Sequence, residues 1–182
     1  MNKGQQKAQT YIERLGFHDP DLTTPEHDTL VLWAYQHWKE LLKDIMATQK
    51  IPENTIARKK LECAIYGYNG YILGFWDLVI TFYWNEKRMS YDPMDGSECN
   101  KSYENSSAFY FEIKPNVRSI GEMMREINFY RQARAYTDYS TYIIITKTKG
   151  LKELFKEQDI LIIEYPGEDS SHPFISNGTL IQ

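Results

Sequence analysis

The chain has 182 residues, 42% of them apolar and 14% aromatic, and a formal net charge of -4. That length and composition exclude a disordered chain and point to one domain with a core of its own; the charge excludes a protein that coats polyanions at large, while leaving room for a local basic patch. Cys63 and Cys99 are too few for a disulfide framework, and neither a signal peptide nor a bilayer-spanning apolar run stands out, so a cytoplasmic protein with no membrane partner is expected.

Residues 4–15 suit a short helix ended by Gly16, and 17–24, with Pro20 and two aspartates, a loop. Thr24-Pro25 is a helix start, a threonine cap followed by proline at the first helical position. Leu30, Val31, Ala34, Trp38, Leu41, Leu42 and Ile45 then recur near helical period, which predicts a helix over 25–47. Its first turn holds Glu26, His27 and Asp28. The preferred reading matches the acids to the helix dipole and leaves His27 as a polar edge residue. The alternative sets one of the three beside a catalytic centre, as an outer ligand or base. The part up to about residue 55 is therefore expected to be helical.

Pro52 marks 49–54 as a connector. After the basic trio Arg58, Lys59 and Lys60, a hairpin is expected: one strand over 60–66, a turn at Tyr68-Asn69-Gly70, a second strand over 71–83. The second strand is apolar on both parities apart from Asp77. Ile72, Trp76, Leu78, Ile80 and Phe82 form one set; Phe75, Val79 and Tyr83 form the other. Such a strand is central and covered on both faces, and a lone carboxylate within it is costly unless paired. Glu62, on the first strand, either joins Asp77 as an extra acid or pairs with a lysine across the ladder. The polar stretch 85–107, with Pro93 and Gly96, is expected to be a long loop, either touching a substrate or simply solvated.

A strand over 108–114 follows, with Phe109, Phe111 and Ile113 on one face and Tyr110, Glu112 and Lys114 on the other. Pro115 ends it. Ser119-Ile120-Gly121-Glu122 is a capping box opening a helix to about 137, whose stripe of Ile120, Met123, Met124, Ile127 and Tyr130 belongs to the core. Its other faces carry Arg125, Arg131, Gln132 and Arg134, with Tyr136 four residues after Gln132. This cationic segment suits a phosphate backbone, although any one of these arginines equally suits a helical ion pair. A strand over 142–146, a short helix over 151–158 and a strand over 159–165 imply a parallel crossover. Residues 166–182 read as a loose tail. The whole is α/β: one domain, a central mixed β-sheet flanked by helices, with its core over about 56–165.

Two carboxylates, Asp77 and Glu112, and the ammonium of Lys114 are the minimal kit for metal-assisted phosphodiester hydrolysis. The acids hold a hard divalent cation; the lysine positions water or phosphate. The order helix, hairpin with a central Asp77, strand with Glu112-Ile113-Lys114, helix, strand resembles the PD-(D/E)xK nuclease superfamily over about 56–147. Gly74-Phe75-Trp76 precedes Asp77, where the family pattern has a proline. Gln132-Ala133-Arg134-Ala135-Tyr136 matches the Q-x-x-x-Y signature of the RecB-like branch.

The resemblance implies a restriction-endonuclease-like core and a magnesium or manganese ion between Asp77 and Glu112, helped by the Ile113 carbonyl. Lys114 would orient the attacking water, Gln132 would stand at the cut site, and Arg131, Gln132, Arg134, Tyr136 and Arg125 would hold DNA. It implies a metal-dependent deoxyribonuclease, as an endonuclease that as a homodimer would cut both strands. An end-directed exonuclease, and a nuclease-fold binding factor without turnover, are the alternatives.

Overall fold

The computed structural model describes residues 24–53, 55–67, 70–91, 94, 97–133 and 140–167. The helix expected over 4–15, the tail beyond 167, Tyr68 and Asn69 of the hairpin turn, and both Arg134 and Tyr136 lie outside the described residues.

Helix α1 (Pro25–Thr48) begins where the Thr24-Pro25 pair places it. The Thr24 hydroxyl accepts the His27 N–H at 3.2 Å, and proline sits at the first position. Leu30, Val31, Ala34, Leu41 and Leu42 are buried along one stripe of it, each large side chain contributing roughly 1.5–3 kcal/mol.

The stripe lies on a single five-stranded sheet. Strands β1 (Ile56–Tyr66), β2 (Ile72–Tyr91), β3 (Glu98–Ile113), β4 (Ser140–Thr146) and β5 (Ile160–Glu164) stand in that order across it. The pairs β1–β2 and β2–β3 are antiparallel. The pairs β3–β4 and β4–β5 are parallel, as the strand–helix–strand spacing near the C-terminal end requires. Helices α2 (Ile120–Ala133) and α3 (Lys152–Lys156) cover the opposite face. One core lies between α1 and the sheet, built from Leu78, Ile80, Phe82, Phe109, Phe111, Ile113 and Ile143. The other lies under α2 and α3, where Trp76 sits within 5.5 Å, ring centroid to centroid, of Tyr110, Tyr130 and Tyr142.

Two sequence expectations are corrected. Residues 85–107 do not form a loop: β2 and β3 stay paired out to Tyr91↔Glu98, as a ribbon beyond the sheet. Most of that ribbon is exposed, so no apolar alternation marks it in the sequence. The faces of β2 also differ from the simple parity count. Trp76 packs beneath α2 with Val79, whereas Leu78 packs beneath α1. In β1 the same change separates Leu61 from Cys63 and Ile65. Both changes fall where the pairing passes from Leu61↔Leu78 to Cys63↔Trp76, skipping Glu62 and Asp77. Glu62 has φ +44°, in the left-handed region. A side-chain-bearing residue there costs about 1–3 kcal/mol, a strain that tends to collect at functional sites. The strand is covered on both faces only in its middle: Ile72, Phe75 and Tyr83 are exposed.

Candidate active site in a wedge between two strands

The irregularity at Asp77 opens a wedge. Beyond it β2 continues to pair with β1, but its ladder with β3 ends at Leu78↔Phe111. The Ile113 N–H, next in line for that ladder, is taken by the Asp77 side chain: it donates to Oδ2 at 2.6 Å. A carboxylate thus does the work of a backbone carbonyl and is fixed between the two strands. Its other oxygen, Oδ1, lies 3.1 Å from His27 Nε2, which reaches in from the first turn of α1. The far nitrogen, His27 Nδ1, is 3.5 Å from Asp28 Oδ1, and Asp28 is buried.

Glu112 follows Phe111, the last residue of β3 paired with β2, and is 4% exposed. Its Oε1 is 2.7 Å from Lys114 Nζ. Its Oε2 is buried with no hydrogen-bond partner among the described residues, which for a carboxylate oxygen is costly. The Lys114 ammonium is shared: Glu126, on α2, lies 3.4 Å away. Glu126 Oε1 in turn accepts the Tyr130 hydroxyl at 3.1 Å, a pair one helical turn apart. Tyr130 needs Gly74 beneath it, since a Cβ there would meet the Tyr130 hydroxyl oxygen at 2.5 Å and ring carbons at 2.7 and 2.8 Å. The glycine three residues before Asp77 therefore makes room for the tyrosine that holds Glu126.

The charges are strongly coupled. Burial, then the neighbouring Asp77 carboxylate, push Glu112 up from 4.5 to about 8 against the opposing pull of Lys114. Burial works against the charged form of His27, but the hydrogen bonds and charges of Asp28 and Asp77 outweigh it and lift its pKa from 6.5 to about 10. Burial likewise opposes the Lys114 ammonium; Glu112 and Glu126 overcome it and hold the amine above its ordinary range. Tyr130 is raised by burial and by the same two acids.

Two neighbouring carboxylates that act on each other electrostatically, one with an unpartnered buried oxygen, suit a hard cation that takes one or two protein carboxylates and keeps several waters, as magnesium does. Among the described residues no group of three or more His, Cys, Asp and Glu side chains is arranged to hold a metal by itself. In an extended strand the N–H and C=O of one residue face the same edge, so the Ile113 carbonyl is directed toward β2 together with the N–H that Asp77 accepts.

Of the residues expected from the sequence, Asp77, Glu112, Ile113 and Lys114 come together, and Glu62 lies opposite Asp77 in the β1–β2 register. Gln132 and Arg125 are exposed on α2, and among the described residues no hydrogen bond or ion pair ties either to the wedge. At about 100° per residue, Gln132 lies about 240° round the helix from Glu126. The Arg131 guanidinium donates to the carbonyls of Gln158 and Asp159 at 2.7 and 2.8 Å and lies 4.4 Å from the Tyr142 ring, pinning the turn before β5.

His27, Glu126 and Tyr130 also touch this cluster: Tyr130 does so from the core, where the sequence set it, and His27, preferred as a polar edge residue, takes the place the alternative gave to one of the first-turn residues. Glu126-x-x-x-Tyr130, an acid and a hydroxyl one turn apart on the helix after Glu-x-Lys, was the available signal for two of them. No family model matches the chain, and no curated protein or solved structure is significantly similar to it.

Proposed function

We propose that the protein is a metal-dependent deoxyribonuclease whose active site is the wedge between β2 and β3. The observation that carries this reading is that Asp77 is held on the Ile113 N–H, 36 positions on in the chain, and so meets the neighbouring Glu112 and Lys114, Glu112 keeping one buried oxygen without a partner among the described residues. Asp77 and Glu112 would hold magnesium or manganese, with the Ile113 carbonyl at the same edge. The ion supplies Lewis-acid stabilisation of the phosphate and a sharpened water. Lys114, held by Glu112 and Glu126, stands where it can orient that water or the phosphate. His27 fixes the Asp77 carboxylate and keeps a positive charge beside it. The restriction-endonuclease-like core is part of the same proposal, supported by the mixed sheet with an antiparallel β1–β2–β3 meander followed by parallel β4.

The test is incubation with supercoiled and linear DNA, with and without magnesium or manganese. Metal-dependent cutting of both forms is expected of an endonuclease; cutting of linear DNA alone identifies an end-directed enzyme. Glu112→Ala and Lys114→Ala are expected to abolish cleavage in a folded protein, and unchanged cleavage by Asp77→Ala overturns the assignment.

A second reading has a specific observation in its favour: each acid of the wedge already has an internal cation, His27 for Asp77 and Lys114 for Glu112. A nuclease-fold binding factor in which these pairs are purely structural would show DNA binding without cutting in manganese, and no metal binding by calorimetry.

A further inference from the structure

Lys114 is held from two sides by unlike means. Glu112 Oε1 is 2.7 Å from its Nζ, the distance of a charge-assisted hydrogen bond. Both oxygens of Glu126, on α2, stand at 3.4 Å. That is longer than the usual N–H···O distance of about 3 Å, yet close enough for the two charges to attract strongly. Glu126 therefore steadies the ammonium by charge more than by a directed bond. An ammonium has three protons to donate; Glu112 engages one, and Glu126 makes only a weak claim on the others.

The two acids also differ in surroundings. Glu112 is buried, whereas the side chains of Glu126 and Lys114 are 34% and 36% exposed. The amine thus bridges an acid inside the wedge and an acid that reaches solvent. Glu126 is nevertheless fixed. The Tyr130 hydroxyl donates to its Oε1 at 3.1 Å, and the Tyr130 ring is itself locked. It stands edge-on to Trp76, with centroids 5.1 Å apart, and lies against Gly74, where a Cβ would overlap it. Contacts thus run from β2, the strand that carries Asp77, through Tyr130 to the acid that faces Lys114.

We propose that Glu126 and Tyr130 are positioning residues for Lys114, keeping its ammonium at the wedge, with protons to spare for water or phosphate, when Glu112 turns its charge to a divalent cation. The proposal deepens the nuclease reading and rests on it for the cation and for the use made of the amine. Glu112 has its open buried oxygen to give to an ion. A carboxylate so engaged attracts an ammonium less, and the ion repels the ammonium outright. Among the described residues no three acids, histidines or cysteines are close enough to share an ion, so Glu126 keeps its charge for the amine.

The experiment compares the full-chain wild type with Glu126→Gln, Glu126→Asp and Tyr130→Phe, each close in shape to the residue it replaces. Side-chain order of Lys114 is read from carbon relaxation of its ε-methylene, with and without magnesium. Magnesium affinity is read by calorimetry, and kcat and KM from DNA cutting. In the wild type Lys114 is expected to be ordered under both conditions. In Glu126→Gln it is expected to be ordered without metal, where Glu112 holds it, and mobile in magnesium. In that variant magnesium affinity and KM are expected to stay within about threefold while kcat falls about a hundredfold. Tyr130→Phe is expected to show the same pattern at about tenfold, and Glu126→Asp to recover part of the loss. Lys114 ordered in magnesium-loaded Glu126→Gln, or an unmoved kcat, overturns the positioning role even where metal-dependent cutting stands; a lowered melting temperature with both unchanged marks a structural pair and overturns it too. Magnesium affinity lost in step with kcat overturns it by making Glu126 a ligand of the ion. A wild type that binds magnesium without cutting, with Lys114 freed only in loaded Glu126→Gln, supports the positioning pair and overturns the nuclease reading alone. No magnesium binding by the wild type overturns both.

Discussion

Glu112→Gln separates the electrostatics of the wedge from its shape. The wild-type carboxyl is displaced from 4.5 to about 8 in the folded protein, so the folded state binds more protons than the unfolded chain between those values. Stability therefore falls as pH rises through that window. At about 1.4 kcal/mol per unit, the ceiling on the loss is about 5 kcal/mol, and relaxation of the site and the Lys114 contact bring it to a few kcal/mol. Glutamine has nearly the same shape and no proton to lose, so it escapes this loss. Near pH 6 the wild-type carboxyl is mostly protonated, and the variant is expected to lie within about 1 kcal/mol of it. At pH 9 the variant is expected to be the more stable by a few kcal/mol. Urea denaturation in EDTA at pH 6, 7.5 and 9 measures the gap. His27 also loses its proton toward pH 10, but in both proteins alike, so the difference isolates Glu112. A saturating divalent ion, binding only the folded wedge, would restore the wild type at pH 9 by about 2.7 kcal/mol at a hundredfold excess over Kd and leave the variant unmoved. Parallel stability curves for the two proteins from pH 6 to 9 would show that the Glu112 carboxyl is not buried beside Asp77 as described.

His27→Ala removes a partner whose pKa is raised in the fold. That contribution is complete below pH 6.5 and lost as pH rises through about 10. The variant is expected to be less stable by about 1–3 kcal/mol near pH 6, with the gap closing by pH 10 in urea titrations, and, on the nuclease reading, to lose most of its metal-dependent DNA cutting. Gly74→Ala drives a methyl group into Tyr130 and is expected to cost about 1–3 kcal/mol; in a Tyr130→Ala background the same change costs almost nothing, so a double-mutant cycle reports the contact. Arg131→Ala loses two carbonyl contacts and a cation–ring contact and is expected to destabilise by about 2 kcal/mol. The salt dependence of its DNA affinity should not change; a fall of about one in the slope would make it a phosphate contact instead.

The parts of the fold that follow local rules were legible. Thr24-Pro25 starts α1, the parity of Phe109, Phe111 and Ile113 sets the side of β3 that lies under α1, and the spacing after Thr146 gives the parallel crossover. What was not legible depends on contacts between distant segments. His27 resembles any first-turn polar residue until α1 is laid across the end of the sheet, 50 positions from Asp77. The parity count for β2 fails at Asp77, where the ladder with β1 passes over Asp77 and the left-handed Glu62 together, and no local pattern in β2 marks that break. Of the Gln132-to-Tyr136 pattern only Gln132 and Ala133 fall within the described residues, with Gln132 at the surface, while Glu126 lies against Lys114 and holds the Tyr130 hydroxyl. A helix after Glu-x-Lys offers several such pairs, and only packing selects among them.

Four acids, Asp77, Glu112, Glu126 and Asp28, thus surround two internal cations, His27 and Lys114. On the nuclease reading a divalent ion competes for the first two acids, and each would have to loosen its hold on its present partner. Glu112 gives up a proton to become a ligand, so metal binding releases protons and strengthens with pH up to about 8. Lys114, displaced from Glu112 by the arriving charge, still has Glu126 to hold it, and Tyr130 keeps Glu126 in place. The helix α2 acid therefore lets the amine stay at the site in both arrangements. A wedge with only Asp77, Glu112 and Lys114 would have to choose between a bound cation and a positioned lysine, and the Glu126–Tyr130 pair removes that conflict.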